Sequence, residues 1–414
     1  MGLWSSKLRT AEGQRGNALI LAGLAMPVLV GFAGLATDTI FWSLDKRQLQ
    51  RSADSAAMAG VYGLAQGHDP IDSAQANLAQ TNELVLSEPA TIENAPTEGG
   101  YTGDAEAVRV VLRTQRALPF SSLFMASTPT IEVSATAAKI TNGNYCVISL
   151  DTSNTTGIEV TGSAAVDLNC GMFANSRGAN VVSAGGSASV RSTPVAGVGG
   201  LAASNRYLEP TELLPYSVPQ PDPFADLPPP EPADCGPKVN VQPTQSVVLS
   251  PGCFRGMDIK GTATLQPGVY YIDGGELSFG SQANVTGTDV TFVLTSTNAA
   301  TNPGSIATLD MNGGANIDLR APTSGDYNGV LIYQDRRAAT GVSNKINGNS
   351  SSRLQGAFYF PRQMLDFNGN SGLTTDCIQL IGYRVSFSGN SSISNNCPLG
   401  AGHDFRGTIV RIVE

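Results

Sequence analysis

Residues 259–265 read IKGTATL and residues 278–285 read SFGSQANV. Both follow one phrase: an apolar residue, a spacer, a glycine, two or three small residues, then another apolar residue. It recurs as VTGSAAVDL at Gly162, SAGGSASV at Gly186, MNGGANIDL at Gly313, INGNSSSRL at Gly348, FNGNSGL at Gly369 and FSGNSSI at Gly389. The short intervals between successive glycines are 24, 19, 21 and 20 residues, and the intervals of 75, 33 and 35 read as units carrying insertions. A strand-turn-strand unit of about 20 residues cannot bury its own apolar face and gains a core only by stacking on copies of itself. Glycine then supplies the tight corners. Residues 145 to about 400 are therefore expected to form a parallel β-helix, right-handed. A β-sandwich is the alternative, but it would need longer alternating strands with turns every 8–12 residues or so.

Composition agrees with stacked strands. The 414-residue chain is 14% charged with 46 glycines, whereas soluble domains average about 25% charged residues and about 7% glycine. Like charges at one repeat position would lie about 4.8 Å apart on adjacent rungs, so small polar residues replace them. Helical arrays, disordered acidic tails and collagen are excluded by the same numbers. With a net charge of −9 and no basic block, nucleic acid is not an expected partner.

Outward from the repeat, residues 209–232 (EPTELLPYSVPQPDPFADLPPPEP) hold nine prolines in 24 positions. Such a segment donates few backbone bonds to a sheet and is expected to be an extended surface excursion, anchored to the wall by Tyr216 and Phe224. It separates the first repeats (145–208) from the continuation and tail (233–414).

At the other end, residues 18–37 (ALILAGLAMPVLVGFAGLAT) are 20 consecutive uncharged residues, with Lys7, Arg9 and Arg15 before them and Asp38 after. At about 1.5 Å per residue this is the thickness of a hydrocarbon core. A cleaved signal peptide would have an apolar run of roughly 7–15 residues opening onto non-helical sequence. Here the helix pattern continues into TIFWSLDKRQLQRSADSAAMAGVYGLAQG, which favours an uncleaved anchor with Phe41 and Trp42 in the interfacial belt and Pro27 tolerated in the span. The basic flank predicts a cytoplasmic N-terminus over residues 1–17 and an exported body, periplasmic or surface-exposed.

Residues 38–144 read as a small α+β region. Leu44, Leu49, Ala53, Ala56, Ala57, Gly60 and Leu64 fall near one helical face, with Asp45, Arg47, Arg51 and Asp54 largely elsewhere. A second helix is expected after Asp69-Pro70, capped by the aspartate, followed by strands EAVRVVLRTQ and TIEVSATAAKI with ALPFSSLFM as a helical turn between them.

The stretch from Arg15 resembles the N-terminal domain of TadG-like proteins of Flp (tight adherence) pilus assembly. The shared features are Arg15-Gly16, Pro27 in the span, Asp38 at its end, Leu49-Gln50, Asp54 and the alanine run through Ala57. The resemblance implies an inner-membrane, single-pass accessory protein with a pilin-like outline, whose partners are other Tad/Flp assembly proteins; for the flank of the solenoid, apart from the resemblance, a surface glycan is the partner class considered. Prepilin-peptidase substrates carry Glu five residues after the glycine, where this chain has Leu21. That argues against processing and polymerisation as a major pilin. Taken alone, Asp38 could equally be a snorkelling interface acid and Asp54 an exposed helix residue.

Six cysteines all follow residue 140, as befits an exported body. Proximity favours Cys146 with Cys170, Cys235 with Cys253 and Cys377 with Cys397, one of 15 connectivities. His68 and His403 are too isolated to complete a metal site, and no cofactor motif is placed convincingly: GVGGLA (197–202) lacks a surrounding βαβ unit. Asp310, Asp318 and Asp326 read as surface carboxylates, and the N-x-S/T triplets at Asn154, Asn284, Asn349 and Asn390 as chance. A structural, non-enzymatic role is expected. The competing class is an anchored carbohydrate-active enzyme, a polysaccharide lyase or hydrolase on a β-helix. Its candidates are Asp335 and Asp366 with Arg362, which otherwise read as exposed charges.

Overall fold

The computed structural model describes residues 15–83, 85–125, 127–347, 352–369, 372–375, 377–390, 392–395 and 406–414. The chain is mainly β with one long N-terminal helix, and it divides into two compact units, residues 1–140 with 410–414 and residues 141–409.

In the first unit α1 (Arg15–Ala65) runs unbroken through Pro27. Helix α2 (Pro70–Thr81) starts where expected: the Asp69 carboxylate accepts from the amides of Ile71 (2.8 Å) and Asp72 (2.9 Å), with proline in the first turn. Strand β1 (Thr91–Asn94) pairs antiparallel with β2 (Ala107–Gln115), and β2 pairs antiparallel with the first half of β3 (Thr130–Ser149). The buried face of α1 carries Leu49, Ala53, Ala56, Ala57, Gly60 and Val61. Small residues set the approach: a Cβ at Gly60 would lie 2.9 Å from Val108 Cγ1 and one at Gly63 would collide with Ser73.

This face differs from the predicted one at two positions. Leu44 is exposed and Asp45 is buried. The reason is geometric: Asp38, Asp45 and Ser52, spaced by seven residues, stand on one stripe, and seven residues are close to two helical turns. All three are buried.

In the second unit most strands pair in parallel with the third strand after them, while the long strands Arg353–Gly369 and Cys377–Gly389 pair with each other and take part in more than one stack; three stacks result. The first contains, in spatial order, Gly252–Phe254, Gly268–Asp273, Val290–Thr295, Val330–Gln334, the 355–360 part of Arg353–Gly369, the 377–382 part of Cys377–Gly389, the end of β3, Gly171–Ala174, Val195–Gly197 and Leu213–Leu214. The second runs from Val239–Val241 through Met257–Ile259, Glu276–Phe279, Thr308–Met311, Ser343–Ile346 and the later parts of the same two long strands to Ile158–Val160 and Val182–Ala184. The third includes Ser246–Leu249, Thr262–Leu265, Asn284–Gly287 and Asn316–Arg320, and a separate group joins Gly372–Thr375, Ser392–Asn395, Ala165–Leu168 and Ser189–Arg191.

Spatial order is thus not chain order. The rungs climb from residue 236 to 395, and the rungs of 145–214 continue on top of them. Along the second stack the inward ladder is Val241, Ile259, Phe279, Met311, Ile346, Phe367, Phe387, Val160 and Ala184. Its outward neighbour from rung to rung reads Asp258, Ser278, Asp310, Lys345, Asp366, Ser386, Glu159 and Ser183. No two acids are adjacent in that ladder, which is how a low-charge surface spares itself like-charge repulsion at the rung spacing.

The repeated glycines lie at the corners between the second and third stacks. Gly162, Gly186 and Gly389 have φ of 70°, 66° and 75°. They sit on one another, since a Cβ at Gly162 would be 3.0 Å from Gly389 O and one at Gly186 would be 2.8 Å from Gly162 O. Glycine is needed there for both conformation and space. The corner at Gly348 lies outside the described residues.

The first stack is apolar on both faces. Its outer ladder runs Tyr271, Val293, Tyr333, Tyr359, Ile381, Ile148, Phe173, Ala196 and Leu214, and it forms a second core. The proline-rich segment runs along this face in the opposite direction to the stack. Ser217 N bonds Gly197 O, Gln220 N bonds Asn175 Oδ1 (2.9 Å), Tyr359 Oη donates to Asp222 Oδ2 (2.6 Å), Arg337 Nη2 reaches Pro230 O (2.8 Å), and Gly236 N bonds Cys253 O. It is therefore a strap that carries the chain from one end of the stack back to the other. Phe224 is buried edge-on against Tyr359, with ring centroids 5.2 Å apart, whereas Tyr216 is 67% exposed.

Candidate membrane-proximal site

Among the described residues α1 is the one helix long and apolar enough to cross a membrane, and the side chains of its apolar window, such as Leu21, Leu24 and Phe32, are exposed. Two acids that follow the span, Asp38 and Asp45, are buried. Asp38 is 3% exposed; its carboxylate accepts from the amide of Phe120 at 3.0 Å and from the amide and hydroxyl of Ser121. The aspartate therefore closes the single helical turn Ser121–Leu123 onto α1.

Two turns later Asp45, 4% exposed, receives Arg116 Nη1 at 2.8 Å, and the Arg116 guanidinium lies 5.6 Å from the Phe41 ring. Lys46 Nζ stands 5.5 Å from the Trp42 ring. Gln50 Nε2 donates to Asp54 Oδ1 (2.8 Å), one turn on in α1, and to Ser134 O (2.9 Å), so Gln50 ties α1 to β3. Leu49 and Ala57 are fully buried beside them. Pro27 stands in the apolar half of the helix, and of Arg15 and Gly16 only the helical backbone is described.

The order of the sequence features thus becomes an order along one helix: anchor, buried acid, aromatic and basic collar, glutamine clasp, alanine contact face. Asp45, Arg116 and Ser121 were missed in the sequence. The seven-residue spacing from Asp38 was the signal for Asp45; nothing marked its partners, because they come from the other end of the domain.

The residues considered for glycan chemistry are differently placed. Asp335 is fully buried rather than an exposed charge, because it accepts from Thr295 Oγ1 (2.8 Å), from the Arg337 amide (2.9 Å) and from the Arg337 guanidinium (2.6 Å). Arg337 also bonds the strap, so this pair fixes that segment. Asp366 accepts from the Ser343 hydroxyl and lies across from Lys345 in the register, while Arg362 is exposed. Among the described residues no cluster of His, Cys, Asp and Glu could hold a metal ion; His403 lies outside them. Cys146 is bonded to Cys170 and Cys235 to Cys253, with Cα separations of 5.7 and 4.5 Å, each joining neighbouring rungs. Cys377 is also disulfide-bonded, and Cys397 lies outside the described residues.

No curated protein and no solved structure matches the chain. Residues 16–69, the helix that carries Asp38, Asp45, Leu49, Gln50, Asp54 and Ala57, match the Tad family model, described as Putative Flp pilus-assembly TadE/G-like, so this chain carries a TadE/G-like segment.

Proposed function

We propose that the chain is a membrane-anchored accessory or structural protein of a bacterial Flp/Tad pilus-assembly or secretion system. In this reading the N-terminus is cytoplasmic, α1 crosses the inner membrane once, and the body is exported. The TadE/G-like match carries the reading, since it falls on a helix whose apolar half is exposed and whose following turns are built into a folded domain. We read the three parallel stacks as a right-handed β-helix that serves adhesion or scaffolding, with other Tad/Flp proteins and a surface glycan as partner classes. Disulfides between rungs suit an oxidising compartment.

Deleting the gene in a piliated host is expected to reduce surface pili, and the full chain to restore them. A version whose residues 1–37 are replaced by a cleaved export signal should not restore them. Unchanged pili in the deletion strain would remove the reading. The enzymatic class is tested by assaying the protein on acidic polysaccharides: turnover that disappears in Asp335→Asn or Asp366→Asn would replace the structural role.

A further inference from the structure

The loop between β2 and β3 includes an uncharged stretch, Ala117 to Met125, whose tip exposes three large apolar side chains: Leu123 is 74%, Phe124 76% and Met125 48% exposed. We propose that this loop is a second membrane contact, its tip immersed in lipid beside α1; the proposal rests on α1 being a membrane span.

Three observations carry it. The first is level. The Phe120 ring packs where a Cβ on Gly34 would stand, and Asp38 holds Ser121, so the loop lies beside residues 34–38. The Phe41 and Trp42 rings, with Lys46 and Arg116 against them, form the aromatic and basic collar expected at a headgroup layer. At about 1.5 Å per residue, Gly34 is roughly 10–12 Å to the hydrocarbon side of that collar. The second is continuity: Leu35, exposed on α1 at the same level, extends the apolar surface of the span.

The third is backbone satisfaction. A segment in hydrocarbon must pair its own polar groups. From residue 120 to 125 every amide has a partner inside the fold: those of Phe120 and Ser121 are taken by Asp38, that of Ser122 by Leu118 O, that of Leu123 by Phe120 O, and those of Phe124 and Met125 by Ser121 O. A solvent-facing loop has no need of this. Arg116 enters the loop at the collar and stays 54% exposed on its side chain, as a snorkelling cation would.

The test uses the full chain with its disulfides intact, reconstituted in phosphatidylethanolamine and phosphatidylglycerol bilayers. Single spin labels are placed at Phe124→Cys, at Leu24→Cys in the span and at Thr102→Cys, an exposed site away from it. Collision with dissolved oxygen, which partitions into lipid, is compared with collision with a water-soluble nickel chelate. The expected result is an oxygen-over-nickel ratio at 124 that matches position 24 and exceeds position 102 several-fold. A water-like ratio at 124 with a lipid-like ratio at 24 overturns the loop proposal alone. Low access to both reagents at 124 means a protein partner covers the tip, which also overturns it. A water-like ratio at 24 as well overturns the anchor and, with it, the loop.

Discussion

Arg384 Nε donates to Asp151 Oδ2 at 2.7 Å, across 233 residues of sequence. The bond lies at the seam where the rung of 377–395 meets the rung that begins at residue 145. Asp151 is buried, and it also accepts from the amide and hydroxyl of Ser153 and from the hydroxyl of Thr155. Arg384→Ala leaves that carboxylate with its short-range donors only. The expected loss is about 1–3 kcal/mol in denaturant unfolding, because the aspartate stays buried without its counter-charge. Arg384→Lys should recover part of it. Unchanged stability in the alanine variant would show that the seam is held by the apolar ladder alone.

The same carboxylate gives the stack an acid limit. Burial pushes its pKa up, but the Ser153 amide, Arg384 and the two hydroxyls outweigh burial and bring it down to about 2 from 3.8. A group whose folded pKa is depressed contributes stability above its unfolded pKa and loses it as pH falls toward the folded one. Between about pH 4 and pH 2 the unfolding midpoint of the wild type should therefore drop more steeply than that of Asp151→Asn. Parallel curves for the two proteins would contradict this.

The strap offers a mechanical test. Phe224 fills the outer core against Tyr359, and Arg336 grips the carbonyls of Phe224 and Ala225. Phe224→Ala should cost about 3 kcal/mol locally, the usual range for a buried phenylalanine. Limited proteolysis is the readout: cleavage within 215–232 should accelerate while the stacked strands stay intact. If cleavage rates match wild type, Phe224 does not hold the strap down.

The sequence carried the period of the repeat but not its order. Glycine spacing near 20 residues placed the corners at Gly162, Gly186 and Gly389, because each phrase is a local turn with its own conformational demand. Which rung sits on which is a long-range choice, made where Phe387 meets Val160 and Arg384 meets Asp151, and no local pattern encodes it. The outer core was partly visible. GMFA, TFVLT and VLIY are continuous apolar runs rather than alternating ones, and strands buried on both faces read that way. The cover they required was the proline-rich segment, which composition alone had suggested was a surface excursion. At the membrane end, Asp38 was marked by its place after the span, whereas Asp45 was misassigned because its charge outweighed its spacing.

Asp38 tests the TadE/G-like segment most directly. Its carboxylate accepts from the amides of Phe120 and Ser121 and takes the Ser121 hydroxyl too, so Asp38→Ala strands donors at the base of the 117–125 loop. Each buried donor left unpaired costs about 1–3 kcal/mol, enough to release a loop held by a single helical turn. Hydrogen exchange of the full chain in lipid should therefore quicken at residues 120 and 121. The amides of β2, whose partners are in β1 and β3, should keep their protection. Asp38→Asn retains an acceptor oxygen and should fall between the two. Exchange at 120 and 121 unaltered in the alanine variant would mean that Phe120 packing on Gly34 holds the loop and the aspartate only accompanies it.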